Sequence, residues 1–257
     1  MLPADFTEPN FEAEAAASEV AAVRLWRQSQ ERRWEVDELP WQLGVKLDAR
    51  QKAGAKRILS QILFGEQATL QIIEQILPKI SGGAAALFLQ SQAQDEARHV
   101  EVFTRYLDLL GKIEPPGPSF AQMVAEVLDL ELLEAKLICT HILIEEMALE
   151  TFHAIALQID DPLLREIMRR VFRDESRHVA FGATYARQLV AGLDQVGRDE
   201  VARWGGRWAV LAAGLIREEQ ASAAEFGLDL RVVQARTQRV LIRRLSQIGL
   251  LDTLGLF

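Results

Sequence analysis

Hydrophobic positions along the chain recur every three or four residues over long stretches and seldom alternate, a pattern that predicts helices throughout and an all-α fold. Residues up to about 13 read as a loose arm, and A-S-E-V-A-A-V-R-L-W-R-Q-S-Q-E-R-R-W as a first helix with Trp26 and Trp34 available to dock. After the turn-rich E-L-P-W-Q-L-G-V, a long helical pattern runs from Asp48, its cap, to Leu77, where Pro78 and S-G-G at 81–83 stop it. A second spans about 84–110 and ends at Gly111, before the breaker I-E-P-P-G-P. A short piece at 120–128 precedes a third long helix at about 130–158, and a fourth opens at D-D-P, residues 160–162, and reaches about Val190. Two more, near 200–224 and 230–248, complete the chain. Four helices of about 25–30 residues would each be about 40 Å long, which suits one tall bundle. The expected organisation is a single domain over 1–257, with a four-helix core at 48–190 and further helices at both ends, the C-terminal ones within 195–257.

The polar positions inside this pattern repeat themselves. Q-D-E-A-R-H-V-E-V-F at 94–103 reappears as R-D-E-S-R-H-V-A-F-G at 173–182. On a helix, residues three apart share a face, so Glu96 with His99 and Glu175 with His178 each form a two-pronged metal ligand. One E-x-x-H is ordinarily a solvated pair; two in matched context need a common cause. A two-metal site in a bundle also needs a carboxylate from each remaining helix. The first long helix supplies Glu66 in I-L-F-G-E-Q-A-T-L, where burial of an uncompensated carboxylate would be costly. The third supplies Glu145 or Glu146 in H-I-L-I-E-E-M-A-L-E. Glu96 follows Glu66 by 30 residues and Glu175 follows Glu145 by 30, so the spacing leans to Glu145 while leaving Glu146 open.

Asp95 and Asp174, just before the prongs, fit as hydrogen-bond supports for ligating imidazoles, Asp95 bracing the prong it precedes, with Arg98 and Arg177 pairing to them. Leu70, Phe103, Glu150 and Phe181 lie about one turn from the expected ligands and are the expected lining of a substrate cavity. His141 and His153 read as packed or partly exposed histidines, Trp204 and Trp208 as core anchors, and R-R-L-S near the C-terminus as a solvated face.

Composition narrows the chemistry. At 49% hydrophobic residues the chain can bury a large core, and Cys139 is its one cysteine, so an intrachain disulfide or thiolate-rich site is excluded and any metal must sit on oxygen and nitrogen. Four carboxylates balance two divalent ions, and such ligands suit iron or manganese. A net charge of -8 and pI near 5.2 argue against nucleic acid or an anionic membrane as partner. With no signal segment and no long apolar run, the expected location is the cytoplasm.

The segments G-E-Q-A-T, D-E-A-R-H-V-E-V-F-T-R-Y-L, I-E-E-M-A-L-E-T-F and D-E-S-R-H-V-A-F-G resemble the ferritin-like di-iron carboxylate superfamily, in particular the ribonucleotide reductase small-subunit branch and its ligand-binding oxidases. W-E-V-D-E-L-P-W at 34–41 is similar to that branch's lead-in, and the likeness covers roughly residues 30–190. It implies a ferritin-like four-helix bundle whose metals are bound by Glu66, Glu96, His99, Glu145, Glu175 and His178, and it supports Glu145 over Glu146. It implies an Fe/Fe or Mn/Fe, dioxygen-dependent oxidase or oxygenase acting on a mainly apolar small molecule, with an external electron donor as a further partner; the expected assembly is a dimer or monomer, with a homodimer preferred. Phe103 stands where radical-storing subunits carry a tyrosine, and Thr140 and Ala68 where the ligand-binding oxidases can form a crosslink, so neither feature is expected. Val171 replaces the extra histidine of the superfamily's N-oxygenases, which argues against an arylamine oxygenase of that type. The alternative is iron handling, ferroxidase or peroxide scavenging without an organic substrate; a degenerate helical interaction protein is a third reading.

Overall fold

In the computed structural model, residues 17–80 and 83–250 are described, and every regular element among them is helical. The arm expected before residue 13 lies outside the described residues. The helices are α1 (Ala17–Glu31), α2 (Ala49–Ile76), α3 (Gly83–Asp108), α4 (Pro118–Asp129), α5 (Leu133–Leu137), α6 (Glu145–Gln158), α7 (Pro162–Ala191), α8 (Gln195–Phe226) and α9 (Leu230–Ile248). Two short 3₁₀ turns, Val36–Glu38 and Trp41–Leu43, occupy the link after α1. The expected third long helix is interrupted: α5 and α6 are joined by a π-helical segment, Ile138–Ile144, in which the chain carries extra residue per turn.

Local chemistry sets the helix starts. Asp48 and Gln51 form a reciprocal capping box on α2, with Asp48 Oδ1 accepting from the Gln51 amide at 2.8 Å. Asp161 caps α7 through the Leu164 amide at 2.8 Å, and its other oxygen accepts from the Lys46 amide at 2.7 Å, tying the incoming link to the bundle. Gly227, at φ 97°, ends α8 in the left-handed conformation and turns the chain back into α9.

α2 packs against α3 and α6 against α7, giving two hairpins that form the four-helix core. α1 covers the α3 and α7 side. α8 lies along α2 and α4, while α9 lies along α6 and α7. The approach of α2 to α8 is close enough that a Cβ on Gly54 would stand 2.2 Å from the Ser222 carbonyl oxygen, so only glycine fits there.

The buried apolar side chains divide into two clusters. One gathers Ile72, Phe88, Ile142, Phe181, Tyr185 and Trp208; the other gathers Trp34, Leu59, Phe103, Phe152, Leu164 and Phe226. Within each core helix the carboxylates and histidines of the repeated motifs fall, in sequence, between residues of one cluster and residues of the other. A polar layer at that level is costly in a dry interior unless its charges are compensated.

Candidate metal centre

α2, α3, α6 and α7 bring Glu66, Glu96, His99, Glu145, Glu175 and His178 together, each no more than 6% exposed. His99 Nδ1 lies 3.3 Å from Glu66 Oε2, 3.2 Å from Glu96 Oε2 and 3.1 Å from Glu175 Oε1. His178 Nδ1 lies 3.2 Å from Glu96 Oε1 and 3.3 Å from Glu175 Oε2. Two overlapping ligand sets result, Glu66, Glu96, His99 and Glu175, and Glu96, Glu145, Glu175 and His178, with the donor atoms of each set within 4.8 Å of one another. Glu96 and Glu175 belong to both, so each can be shared between two ions, while Glu66 with His99 and Glu145 with His178 complete one set apiece.

The electrostatics point to missing positive charge. Burial pushes the Glu66 and Glu145 carboxyls well above the ordinary carboxylate range, and the nearby Glu175 carboxylate pushes both further. Burial would also raise Glu96, but the His178 and His99 imidazoles hold it well below that range. Burial opposes charge on His99, yet Glu66 and the other carboxylates hold its pKa well above the ordinary imidazole value, and Glu175 and Glu96 do the same for His178. Among the described residues, Glu145 Oε2 is buried and accepts no hydrogen bond. An oxygen- and nitrogen-donor cluster with a spare buried carboxylate oxygen fits two iron- or manganese-type ions, and the cluster can hold two.

Behind the cluster the supports cross between hairpins. His99 Nε2 faces Asp174 Oδ2 of α7 at 3.3 Å, and His178 Nε2 faces Asp95 Oδ2 of α3 at 3.2 Å. Each aspartate therefore braces the histidine of the opposite hairpin, where the sequence suggests its own. Each aspartate lies one turn before the histidine of its own helix, yet the ring Nε2 of each histidine faces the aspartate of the other helix. Arg177 donates to Asp95 at 2.9 Å and to Asp174 at 2.7 Å; Arg98 donates to both as well, at 2.9 Å to Asp174. Trp34, read in the sequence as a docking residue at the end of the first helix, adds an indole N–H to Asp174 Oδ2 at 2.7 Å, a polar role that the helical pattern did not signal.

Glu145 and Glu146 separate cleanly. Glu145 faces the cluster, while Glu146 accepts from Arg244 Nε of α9 at 3.2 Å. Arg244 is thus committed to an ion pair, although the basic run around it reads as a solvated face. His141, fully buried, contacts Gln92 across the bundle at 3.0 Å, whereas His153 packs near Phe172, ring centres 5.9 Å apart.

A cavity of about 260 Å³ reaches the cluster from the α2 and α6 side, where Glu66, Glu96, Glu145 and Glu175 line its inner end. Its walls are mainly apolar, including Ile62, Phe120, Met147, Ala212 and Leu241, and α8 and α9 supply much of them. None of Leu70, Phe103, Glu150 and Phe181 lines it, which corrects the expected lining. Phe103 packs near Phe152 with ring centres 6.0 Å apart, Phe181 stacks on Phe88 at 4.4 Å, and Glu150 pairs with Arg236 at 2.6 Å. The physical reason is that the aspartates, arginines and Trp34 pack behind the histidines, while the cavity opens beside the carboxylates.

Residues 61–247 match the family described as P-aminobenzoate N-oxygenase AurF. The chain belongs to the AurF family. Within that family it is an oxygen-dependent oxidoreductase carrying a site for two metals. The fold is also that of R2-like ligand-binding oxidases. One solved structure, with aerobically reconstituted Mn/Fe cofactor after a long soak, is 18% identical, with 93% of each chain covered and a TM-score of 0.73. A tyrosine-to-phenylalanine variant with anaerobically reconstituted Mn/Fe cofactor is 16% identical, with 93% of this chain and 94% of that one covered and a TM-score of 0.75. The sequence reading of Val171 weighs against an arylamine substrate, and the family match is compatible with either outcome for this chain. Val171 itself is fully buried in α7, one turn before Glu175.

Proposed function

We propose that the chain is a dinuclear Fe/Fe or Mn/Fe oxidase or oxygenase that activates dioxygen to oxidise a mainly apolar small molecule. The observation that carries the reading is the apolar cavity with four glutamates at its inner end. Glu66, Glu96, His99, Glu145, Glu175 and His178 would hold the metals, and Asp95, Asp174, Arg98 and Arg177 would fix the imidazoles. Bound there, the metals would supply two-electron reduction of dioxygen. The protein's own residues would do the rest: apolar walls would take up substrate and exclude water, and the packed histidine side would direct approach to the carboxylate side. The same reading has the chain acting as one domain, as a cytoplasmic homodimer, with electrons supplied by an external donor.

The test is anaerobic loading with Fe(II), or Mn(II) plus Fe(II), followed by metal analysis and exposure to oxygen. Two metals per chain and a change in visible absorption on oxygen exposure are expected; fewer than two metals, or no spectral change, would overturn the reading. Gel filtration separates it from iron storage, since a storage cage predicts a very large particle.

A further inference from the structure

Gln92 lies on α3 one turn before Glu96, fully buried, and makes three contacts. Its Nε2 donates to Glu145 Oε1 at 2.7 Å and to Glu96 Oε1 at 3.1 Å, and its Oε1 faces His141 Nε2 at 3.0 Å. As metal ligands both carboxylates are ionised and only accept, so the amide nitrogen must face them and the amide oxygen must face the histidine. That arrangement requires the hydrogen of His141 on Nε2. Burial lowers the His141 pKa to about 4, so the ring is neutral near pH 7 and carries one N–H. The longer contact, 3.3 Å from Nδ1 to the Leu137 carbonyl, then lacks a proton.

His141 reaches Gln92 because it projects from the π-helical segment, and because α7 leaves room for it. A Cβ on Gly182 would stand 2.2 Å from His141 Cβ and 2.9 Å from its Cγ. The result is a buried line from His141 through Gln92 to the Glu145 and Glu96 carboxylates. With Oε1 of Glu145 engaged, Oε2 is left as the oxygen without a hydrogen bond.

We infer that Gln92 is a positioning residue for Glu145 and Glu96, and that His141, presented by the π-helical segment, positions the metal ligands only by orienting the Gln92 amide. This rests on the two-metal reading above. It assigns the α6 side of the cluster its own support, parallel to the aspartate supports of the histidines.

The test compares wild type, Gln92→Leu, His141→Leu and the double variant by anaerobic Mn(II) and Co(II) titration, the visible Co(II) bands and the melting temperature of chelator-treated protein. Removal of a group that orients metal ligands typically costs about 10–100-fold in affinity. Each single variant is expected to weaken at least the metal held by Glu145 and His178 by about that factor and to alter the Co(II) bands. The double variant should be no weaker than Gln92→Leu, because His141 acts through the same amide. Should Gln92→Leu not fold, His141→Leu carries the test alone, with the same expected loss. Affinities within threefold of wild type, or losses in the double variant that multiply, would overturn the inference while two metals bound to wild type upheld the centre. A wild-type chain that takes up no metal would overturn the two-metal reading and this inference with it.

Discussion

Glu145 and Glu146 are adjacent letters with separate tasks, and the difference between them is measurable. Glu145→Gln should lower metal uptake to about one ion per chain, whereas Glu146→Gln should keep two, because it removes only the partner of Arg244; metal analysis after dialysis checks both. Protons compete for the same ligands. Glu66 and Glu145 have raised pKa values from burial, and those of His99 and His178 are raised by surrounding carboxylates, so as the pH falls metal-free protein takes up protons that ligation must expel. Raising the pH removes them beforehand, so apparent Mn(II) affinity should rise with pH; calorimetry in buffers of different ionisation heat should report proton release. An affinity independent of pH would contradict this. The E-x-x-H prongs were legible in sequence because helical geometry makes residues three apart neighbours wherever the helix goes. The support given to His99 by Asp174, and the burial of His141 against Gln92, were illegible because each depends on which helices face one another.

At the scale of the element, the π-helical segment is what a periodic hydrophobic pattern conceals. Its extra residue per turn changes which side chains face inward, and I-C-T-H-I-L-I reads equally well as ordinary helix. Helix starts, by contrast, were legible at Asp48 and at D-D-P, since capping is a short-range interaction. Where helices approach closely, glycine records it: Gly54→Ala should cost on the order of 1–3 kcal/mol by overpacking α2 against α8. Urea denaturation would read that loss, and metal stoichiometry should stay unchanged because Gly54 lies three turns from Glu66. No helix among the described residues is long and apolar enough to cross a membrane.

For the whole molecule, the location of the cavity was the largest departure from what the sequence suggests. Placing lining residues one turn from each ligand assumes space all around the cluster, but α8 and α9 define it on one side only, and the positions of those helices are a tertiary outcome. Ala212 lines that space, so Ala212→Phe should leave two metals bound and reduce oxidation of a bulky apolar substrate several-fold; equal losses of metal and turnover would argue against the cavity's role. The crossed aspartates carry a different implication. Each hairpin holds a two-pronged ligand together with the brace for the other hairpin's histidine, so neither half is self-sufficient. A single ancestral hairpin of this kind would have needed a second copy of itself to become functional, and the present chain keeps that reciprocity inside one polypeptide.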